Sequence, residues 1–512
     1  MEDEQMKYTN PIVTGCNPDP SVCRVGNDYY LVNSTFEYFP GLPIYHSTDL
    51  IHWEQIGHVL TRESQMTLPV GAPNRYGLFA PTLRYHNGKF YCVVTNVNVD
   101  ETSKNFYVTT DDIYGEWSEP ITLDFDGIDP SFFFDEDGKC YYTGTDGGGV
   151  FICEVDIETG KRVGEKTHSW NGTGGNNPEG PHLYKINGWY YLMIAEGGTE
   201  LCHMVTIARS KNVYGPYEEC PWNPILTNSR TLLPLKAIGH ADLVQDINGK
   251  WWAVCLGNRP TGYPFHHVMG RETMLVPVTW KEDWPVMGVN GRVFDEMEVE
   301  CFAGEPTPNT GRYIPGSNFE DDFSGDKLHL SWSYIYKPDE TMISLTDKGL
   351  RLHGAAASVC EDTYKTILVR RQEHFDFEAV MNLSFAPAEG EEAGLSIYMN
   401  NQHHYDIALT KLDGEQSLII RRQIGKLKAM EAKVPYEGQE VVLKLSGSKE
   451  EYALSYSKDG NEFTVLGSGE SQYLSTEVGG CFTGNMIALY ASGNGKEAEN
   501  DAYVTKFVYK AL

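Results

Sequence analysis

Asn187-Gly188-Trp189-Tyr190-Tyr191, a turn pair running into aromatics, is one of five copies of the same phrase. The others are Asn27-Asp28-Tyr29-Tyr30, Asn87-Gly88-Lys89-Phe90-Tyr91, Asp137-Gly138-Lys139-Cys140-Tyr141-Tyr142 and Asn248-Gly249-Lys250-Trp251-Trp252. Asn-Gly and Asp-Gly supply the φ > 0 residues that join antiparallel strands into hairpins. The copies begin at 27, 87, 137, 187 and 248, in steps of 60, 50, 50 and 61 residues. Each step holds about four short strands with their loops, the content of one propeller blade. A second phrase follows three copies 22 to 25 residues later: Ser47-Thr48-Asp49-Leu50 with Trp53, Thr110-Asp111-Asp112 with Gly115 and Trp117, and Ser210-Lys211-Asn212 with Gly215 and Tyr217. Amphipathic helical patterns are scarce. The chain is therefore predicted to be all-β and to open with a five-bladed β-propeller.

The phrase stops near residue 300. Gly304-Glu305-Pro306-Thr307-Pro308-Asn309-Thr310-Gly311 has linker composition. Short alternating strands then return, such as Phe375-Asp376-Phe377-Glu378-Ala379-Val380 and Val441-Val442-Leu443-Lys444-Leu445, separated by turns such as Lys458-Asp459-Gly460-Asn461. The expected layout is a propeller over 1–303, a linker over 304–317 and a jelly-roll-like β-sandwich over 318–512.

The 512 residues are 41% hydrophobic and 12% aromatic, which suits globular domains rather than disorder. A net charge of −30 repels phosphate backbones and anionic bilayers, so neither nucleic acid nor membrane is an expected partner. The acidic start Met1-Glu2-Asp3-Glu4-Gln5 lacks the apolar core of a secretory signal. The 11 cysteines form no CxxC pair and sit mostly in strand-like runs, reading as reduced thiols of a cytoplasmic protein.

Eight residues before the first turn residue of each copy stand Asp19, Phe79, Asp129, Glu179 and His240. In a propeller, equivalent positions on the innermost strands meet near one end of the central channel, so these five side chains are expected to share one pocket. Prolines flank the acids, in Asn17-Pro18-Asp19-Pro20-Ser21, Gly127-Ile128-Asp129-Pro130-Ser131 and Asn177-Pro178-Glu179-Gly180-Pro181-His182. A single Asp-Pro often does no more than start a strand. Three carboxyls brought together repel one another and raise at least one pKa, which folding alone does not reward. A protonated acid beside an ionised one is what glycoside hydrolysis requires.

These stretches, with Ser34-Thr35-Phe36-Glu37-Tyr38-Phe39-Pro40-Gly41, Phe79-Ala80-Pro81, Gly239-His240-Ala241-Asp242 and Gly270-Arg271-Glu272-Thr273, resemble glycoside hydrolase family 43, the β-xylosidases and α-L-arabinofuranosidases. The resemblance runs in order through the first domain and implies a five-bladed propeller and inversion of anomeric configuration. It implies Asp19 as general base, Glu179 as general acid and Asp129 as the acid that raises the pKa of Glu179 and positions it. Inversion requires the base and acid to admit a water between them, roughly 6.5–9.5 Å apart. Arg271 matches an arginine reaching the pocket, and Phe36 and Phe79 match its apolar wall. Many relatives carry Trp where this chain has Phe79. His240 matches a histidine that helps hold Ca²⁺, largely through waters, on the propeller axis. In two-domain members a sandwich loop places an aromatic over the +1 site, and Phe482 in Gly480-Cys481-Phe482-Thr483-Gly484 resembles it.

The expected activity is exo-acting release of a terminal pentose, α-L-arabinofuranose ahead of β-D-xylose or both, from short arabinose- or xylose-containing oligosaccharides of arabinoxylan type. A sugar-binding propeller without catalysis and a propeller scaffold are the alternatives from other classes. Linkage preference and oligomeric state leave no mark in the sequence.

Overall fold

The computed structural model describes residues 6–71, 75–98, 103–480 and 482–512; the acidic start 1–5 and Cys481 lie outside them. Five antiparallel sheets radiate from the innermost strands Ser21–Val25, Thr82–His86, Ile128–Phe134, Glu179–Ile186 and Lys236–Gln245. Each innermost strand lies against the next, and the last lies against the first, which closes the five-bladed propeller. The second strand of a blade is covered by its neighbours on both faces, so it is apolar almost throughout; Trp251–Asn258, for example, is buried from Trp252 onward. Four blades have four strands, and the second has five because Gly77–Leu78 pairs with the end of Lys89–Val97. The ends of the propeller are tied together: Met6–Thr9 pairs with Glu296–Val299, and the Asn10 amide donates to Leu275 O at 3.0 Å.

The five turns are not identical. Asn87-Gly88 and Asn187-Gly188 are two-residue loops with both residues at φ > 0. In the first blade Val25 pairs with Asp28, so the loop is Gly26-Asn27, one residue before the sequence phrase. In the third and fifth blades the loops span 135–139 and 246–250. There a buried carboxylate, Asp135 or Asp246, accepts loop N–H groups in place of a tight turn.

Along the innermost strands, a ring of polar side chains ties the blades around the axis. Asp242 accepts from Ser21 Oγ at 2.7 Å, from Tyr184 Oη at 2.6 Å, and from both Arg84 Nη atoms at 2.7 and 3.0 Å. Arg84 Nη2 also meets His182 Nδ1 at 3.1 Å, and Ser131 Oγ meets that same nitrogen at 2.9 Å. Every blade contributes. Burial drives the His182 pKa down to about 3, so its ring is neutral. Burial alone would raise the Asp242 pKa, but Arg84 and the hydroxyl donors outweigh it and hold the carboxyl well below the usual carboxylate range. Asp242→Asn strips Arg84 of its counter-charge and is expected to cost about 3 kcal/mol, read from the urea midpoint; a loss within 0.5 kcal/mol, typical of a surface substitution, contradicts the ring's role.

The sandwich packs two eight-stranded sheets around a core that includes Trp332, Phe377, Leu395, Ile407, Leu443 and Phe507. Tyr38–Phe39 from the first blade pairs with Ser333–Ile335 at the edge of one of these sheets, so the propeller supplies its last strand. The segment expected to be a linker is pinned to the first blade: Thr307 Oγ1 donates to His52 O at 2.6 Å, and Arg312 pairs with Glu54 at 3.0 Å. Helix among the described residues amounts to the turn Ser471–Leu474 and the short helix Thr476–Gly479, and no helix is long and apolar enough to cross a membrane.

Candidate active site

All eight site residues expected from sequence, Asp19, Phe36, Phe79, Asp129, Glu179, His240, Arg271 and Phe482, line one pocket of about 500 Å³ at an end of the propeller axis. Their backbone register differs from the sequence count. Bulges interrupt the innermost strands between Ile128 and Ser131, Glu179 and His182, and Gly239 and Asp242. Within the bulges Asp129 (φ 56°), Gly180 (φ 58°) and His240 (φ 47°) take the left-handed conformation, and Asp19 (φ 54°) takes it two residues before Ser21. The fourth blade's counterpart of Asp19, Asp129 and His240 is therefore Gly180, and Glu179 stands one residue earlier. Loops of two and five residues offset this shift, so counting back eight still arrives at pocket residues. Left-handed non-glycine residues gather where surrounding structure enforces them, commonly at functional sites. Gly180 is held to glycine by space as well: a Cβ there would come 3.1 Å from the His240 ring.

Asp19 is buried and fully engaged. One carboxylate oxygen accepts from Ser34 Oγ at 2.5 Å, and the other from Arg271 Nη1 at 3.0 Å, with His240 Nδ1 3.7 Å away. Burial pushes its pKa up, but Arg271, His240 and the Ser34 hydrogen bond overcome burial and leave it below the ordinary value. Glu179 goes the other way. Burial, then the charges of Asp129 and Asp19, push its pKa up to about 8. Asp129 is raised too, first by burial and then by Asp19. Its Oδ2 accepts the Gly180 N–H at 2.8 Å, on the peptide that follows Glu179. The pocket thus holds one carboxyl kept ionised and one kept protonated at neutral pH.

Arg271 bridges the two domains. Besides Asp19 it meets Thr199 Oγ1 at 3.1 Å and the carbonyl of Phe482 at 3.3 Å. Phe36, Phe79 and Phe482 form an aromatic triangle, with centroids 5.5, 5.9 and 5.9 Å apart, and the guanidinium lies 5.7 Å from the Phe36 and Phe482 rings. Such a wall suits the apolar face of a sugar ring, while Arg271 keeps the carboxyl end polar.

Several lining residues escape the sequence reading because they sit on loops outside the repeat: Asn176, Thr199, Glu200 and His203. His203 Nδ1 lies 3.1 Å from Ala237 O, and a carbonyl only accepts, so this nitrogen carries the proton. Its Nε2 has no partner and is left as an acceptor at the pocket wall. Glu196, fully buried, gathers the loop leading to Glu179: it accepts from Thr173 N at 3.0 Å, from Gly175 N at 2.8 Å and from the Thr206 hydroxyl. Glu196→Gln turns an amide donor toward this donor cluster. It is expected to cost about 1–3 kcal/mol in denaturant unfolding and to lower activity through the displaced loop; unchanged stability would contradict that anchoring role.

Calcium collects six to eight oxygen ligands. His240 offers nitrogen, the carboxylate nearest it is taken by Arg271 and Ser34, and among the described residues no three His, Cys, Asp or Glu side chains converge to hold a metal. The side chains at this point do not fit a protein-caged calcium, and no chemistry is derived through one.

Residues 8–285 match the model of glycosyl hydrolases family 43, and residues 320–510 match the beta xylosidase C-terminal concanavalin A-like domain. Similar proteins include a non-reducing end alpha-L-arabinofuranosidase of Bacteroides ovatus, 42% identical over 99% of this chain and 96% of the relative. A xylosidase/arabinosidase of Butyrivibrio fibrisolvens is 39% identical over 96% of this chain and 97% of the relative. Among solved structures, the Bacteroides ovatus xyloglucan PUL GH43B superimposes with a TM-score of 0.90 at 40% identity, covering 99% of this chain and all of the other.

Proposed function

The chain belongs to glycosyl hydrolases family 43, and from that premise we propose that it removes single non-reducing-end α-L-arabinofuranosyl units from arabinoxylan-type oligosaccharides with inversion. It is a glycoside hydrolase, so the non-catalytic lectin and the scaffold no longer compete. In this reading Glu179 protonates the departing oxygen, Asp19 deprotonates the attacking water, and Asp129 keeps Glu179 protonated and its backbone in place. The observation that carries it is the meeting, in one pocket, of a carboxyl whose pKa is pushed up to about 8 and one held below its ordinary value. The rest of the glycan has an adjoining groove, lined by Asp126, Thr145, Asp146 and Pro178, which shares Asn177 and Glu179 with the pocket.

The two 4-nitrophenyl glycosides decide the sugar. Greater kcat/KM on the α-L-arabinofuranoside than on the β-D-xyloside is expected, and the reverse order would move the assignment to β-xylosidase. Comparable turnover of both would make the enzyme bifunctional, a reading favoured by its likeness to the Butyrivibrio xylosidase/arabinosidase. Phe482→Ala is expected to raise KM on oligosaccharides severalfold; unchanged oligosaccharide kinetics would remove Phe482 from the substrate site.

The pKa directions fix the pH dependence. Glu179 works protonated, so kcat/KM falls tenfold per unit as pH rises past about 8. Asp19 works ionised, and its lowered pKa moves the acid limb below the range of an ordinary aspartate. Asp129→Asn removes a charge that raises the Glu179 pKa, so the alkaline limb moves to lower pH; a limb that stays in place would show that Asp129 does not tune Glu179.

A further inference from the structure

His203 lines the sugar pocket just before the strand Met204–Ser210 of the fourth blade, and its surroundings hold it in one pose. Its backbone N–H donates to Glu200 O at 3.0 Å, and its carbonyl accepts from Thr227 Oγ1 at 2.8 Å. The ring packs against Gly239, the residue before His240. A Cβ on Gly239 would come 2.3 Å from the ring and displace it, so glycine is what leaves the imidazole its place. On the other flank Nδ1 donates its proton to Ala237 O at 3.1 Å. Only 1% of the residue is exposed, and burial drives its pKa down to about 3, so the ring is neutral.

Pose and tautomer together leave one polar function unused. Nε2 carries a lone pair and no proton, and it has no hydrogen-bond partner among the described residues. Buried polar atoms are rarely left so, because dehydration without a partner is costly. The neighbouring groups cannot supply a donor. Arg271 is spent on Asp19, Thr199 and the Phe482 carbonyl, and the Ser34 hydroxyl is spent on Asp19. A neutral imidazole can also ligate a metal, but among the described residues no three His, Cys, Asp or Glu side chains converge to hold one. What a sugar pocket brings to such an acceptor is a hydroxyl.

We propose that His203 is a substrate-binding residue: its Nε2 accepts a hydrogen bond from one hydroxyl of the pentose held in the pocket. This rests on the pocket being the sugar site and holds for either pentose. The bond selects for a sugar with a hydroxyl at that place, since an analogue lacking it leaves the nitrogen buried and unpaired.

Monodeoxy substrates test this. The parent is whichever of the 4-nitrophenyl α-L-arabinofuranoside and β-D-xyloside the wild type turns over faster. A faster xyloside overturns the arabinose assignment and leaves the present comparison intact. Each hydroxyl of the parent is removed in turn, and kcat/KM is measured for the wild type, His203→Asn and His203→Leu. Asparagine keeps an N–H for the Ala237 carbonyl and lacks Nε2, while leucine lacks both nitrogens. In the wild type, the analogue without the recognised hydroxyl should fall at least about tenfold below the parent. In each variant the parent should fall by a similar factor, and that one analogue should then stay within about twofold of the variant's own parent, the partner of its hydroxyl being gone already. The other analogues should keep their wild-type ratios. A histidine that served only the fold would lower the parent and every analogue by one common factor, and that result overturns the proposal. So does a variant whose kcat/KM values all match the wild type. Either variant decides if the other does not fold. Should neither fold, a wild-type series in which no analogue falls tenfold overturns it as well, and one that does supports it.

Discussion

Glu179→Gln is expected to cut kcat on an arabinosylated oligosaccharide by about 10³–10⁴-fold, the upper range for loss of a general acid. The same substitution should cost only about tenfold on a 2,4-dinitrophenyl glycoside, whose leaving group departs without a proton. The reason is electrostatic. The pocket holds Asp19 and Asp129 beside Glu179, and burial with those two charges pushes the Glu179 pKa up to about 8. A glutamine removes the transferable proton while keeping shape and neutrality, so the thermal midpoint should hold. Equal losses on good and poor leaving groups would strike out the acid assignment.

Asp19→Asn is expected to lower kcat by a similar 10³–10⁴-fold, but by the same factor on both substrates. The base acts on water and not on the leaving group, so leaving-group quality cannot rescue it. Arg271 loses its carboxylate partner at 3.0 Å and Ser34 loses a 2.5 Å acceptor, so a measurable loss of stability accompanies the kinetic one. A strong leaving-group dependence for this variant would exchange the roles of the two acids.

Much of this site is legible in the sequence because the propeller repeats and because its innermost strands all begin at one end of the axis. A turn phrase five times over locates Asp19, Phe79, Asp129, Glu179 and His240, and all five line the pocket. The count works through compensation: bulges and unequal loops shift Glu179 to the position before Gly180, and no spacing in the sequence shows that shift. Motif residues can also serve the fold. Asp242, two residues after His240, and His182, three after Glu179, turn to the axial ring and tie the blades together. His203 and Thr199 lie on a loop, and Glu196 at the far end of the strand Trp189–Glu196, where no periodicity marks them. The pairing of Tyr38–Phe39 with Ser333–Ile335 joins segments about 300 residues apart through strands of two and three residues, too short to carry a pattern.

The stereochemistry of the first product tests the central claim most directly. Proton NMR can follow the anomeric signals during the first minutes of hydrolysis of an α-L-arabinofuranoside at high enzyme concentration. With Asp19 directing water and Glu179 protonating the departing oxygen on the opposite face, β-L-arabinofuranose accumulates first and the α anomer grows in only by mutarotation. An initial burst of α-L-arabinofuranose would mean two displacements with an enzyme carboxylate as nucleophile, and would contradict the account.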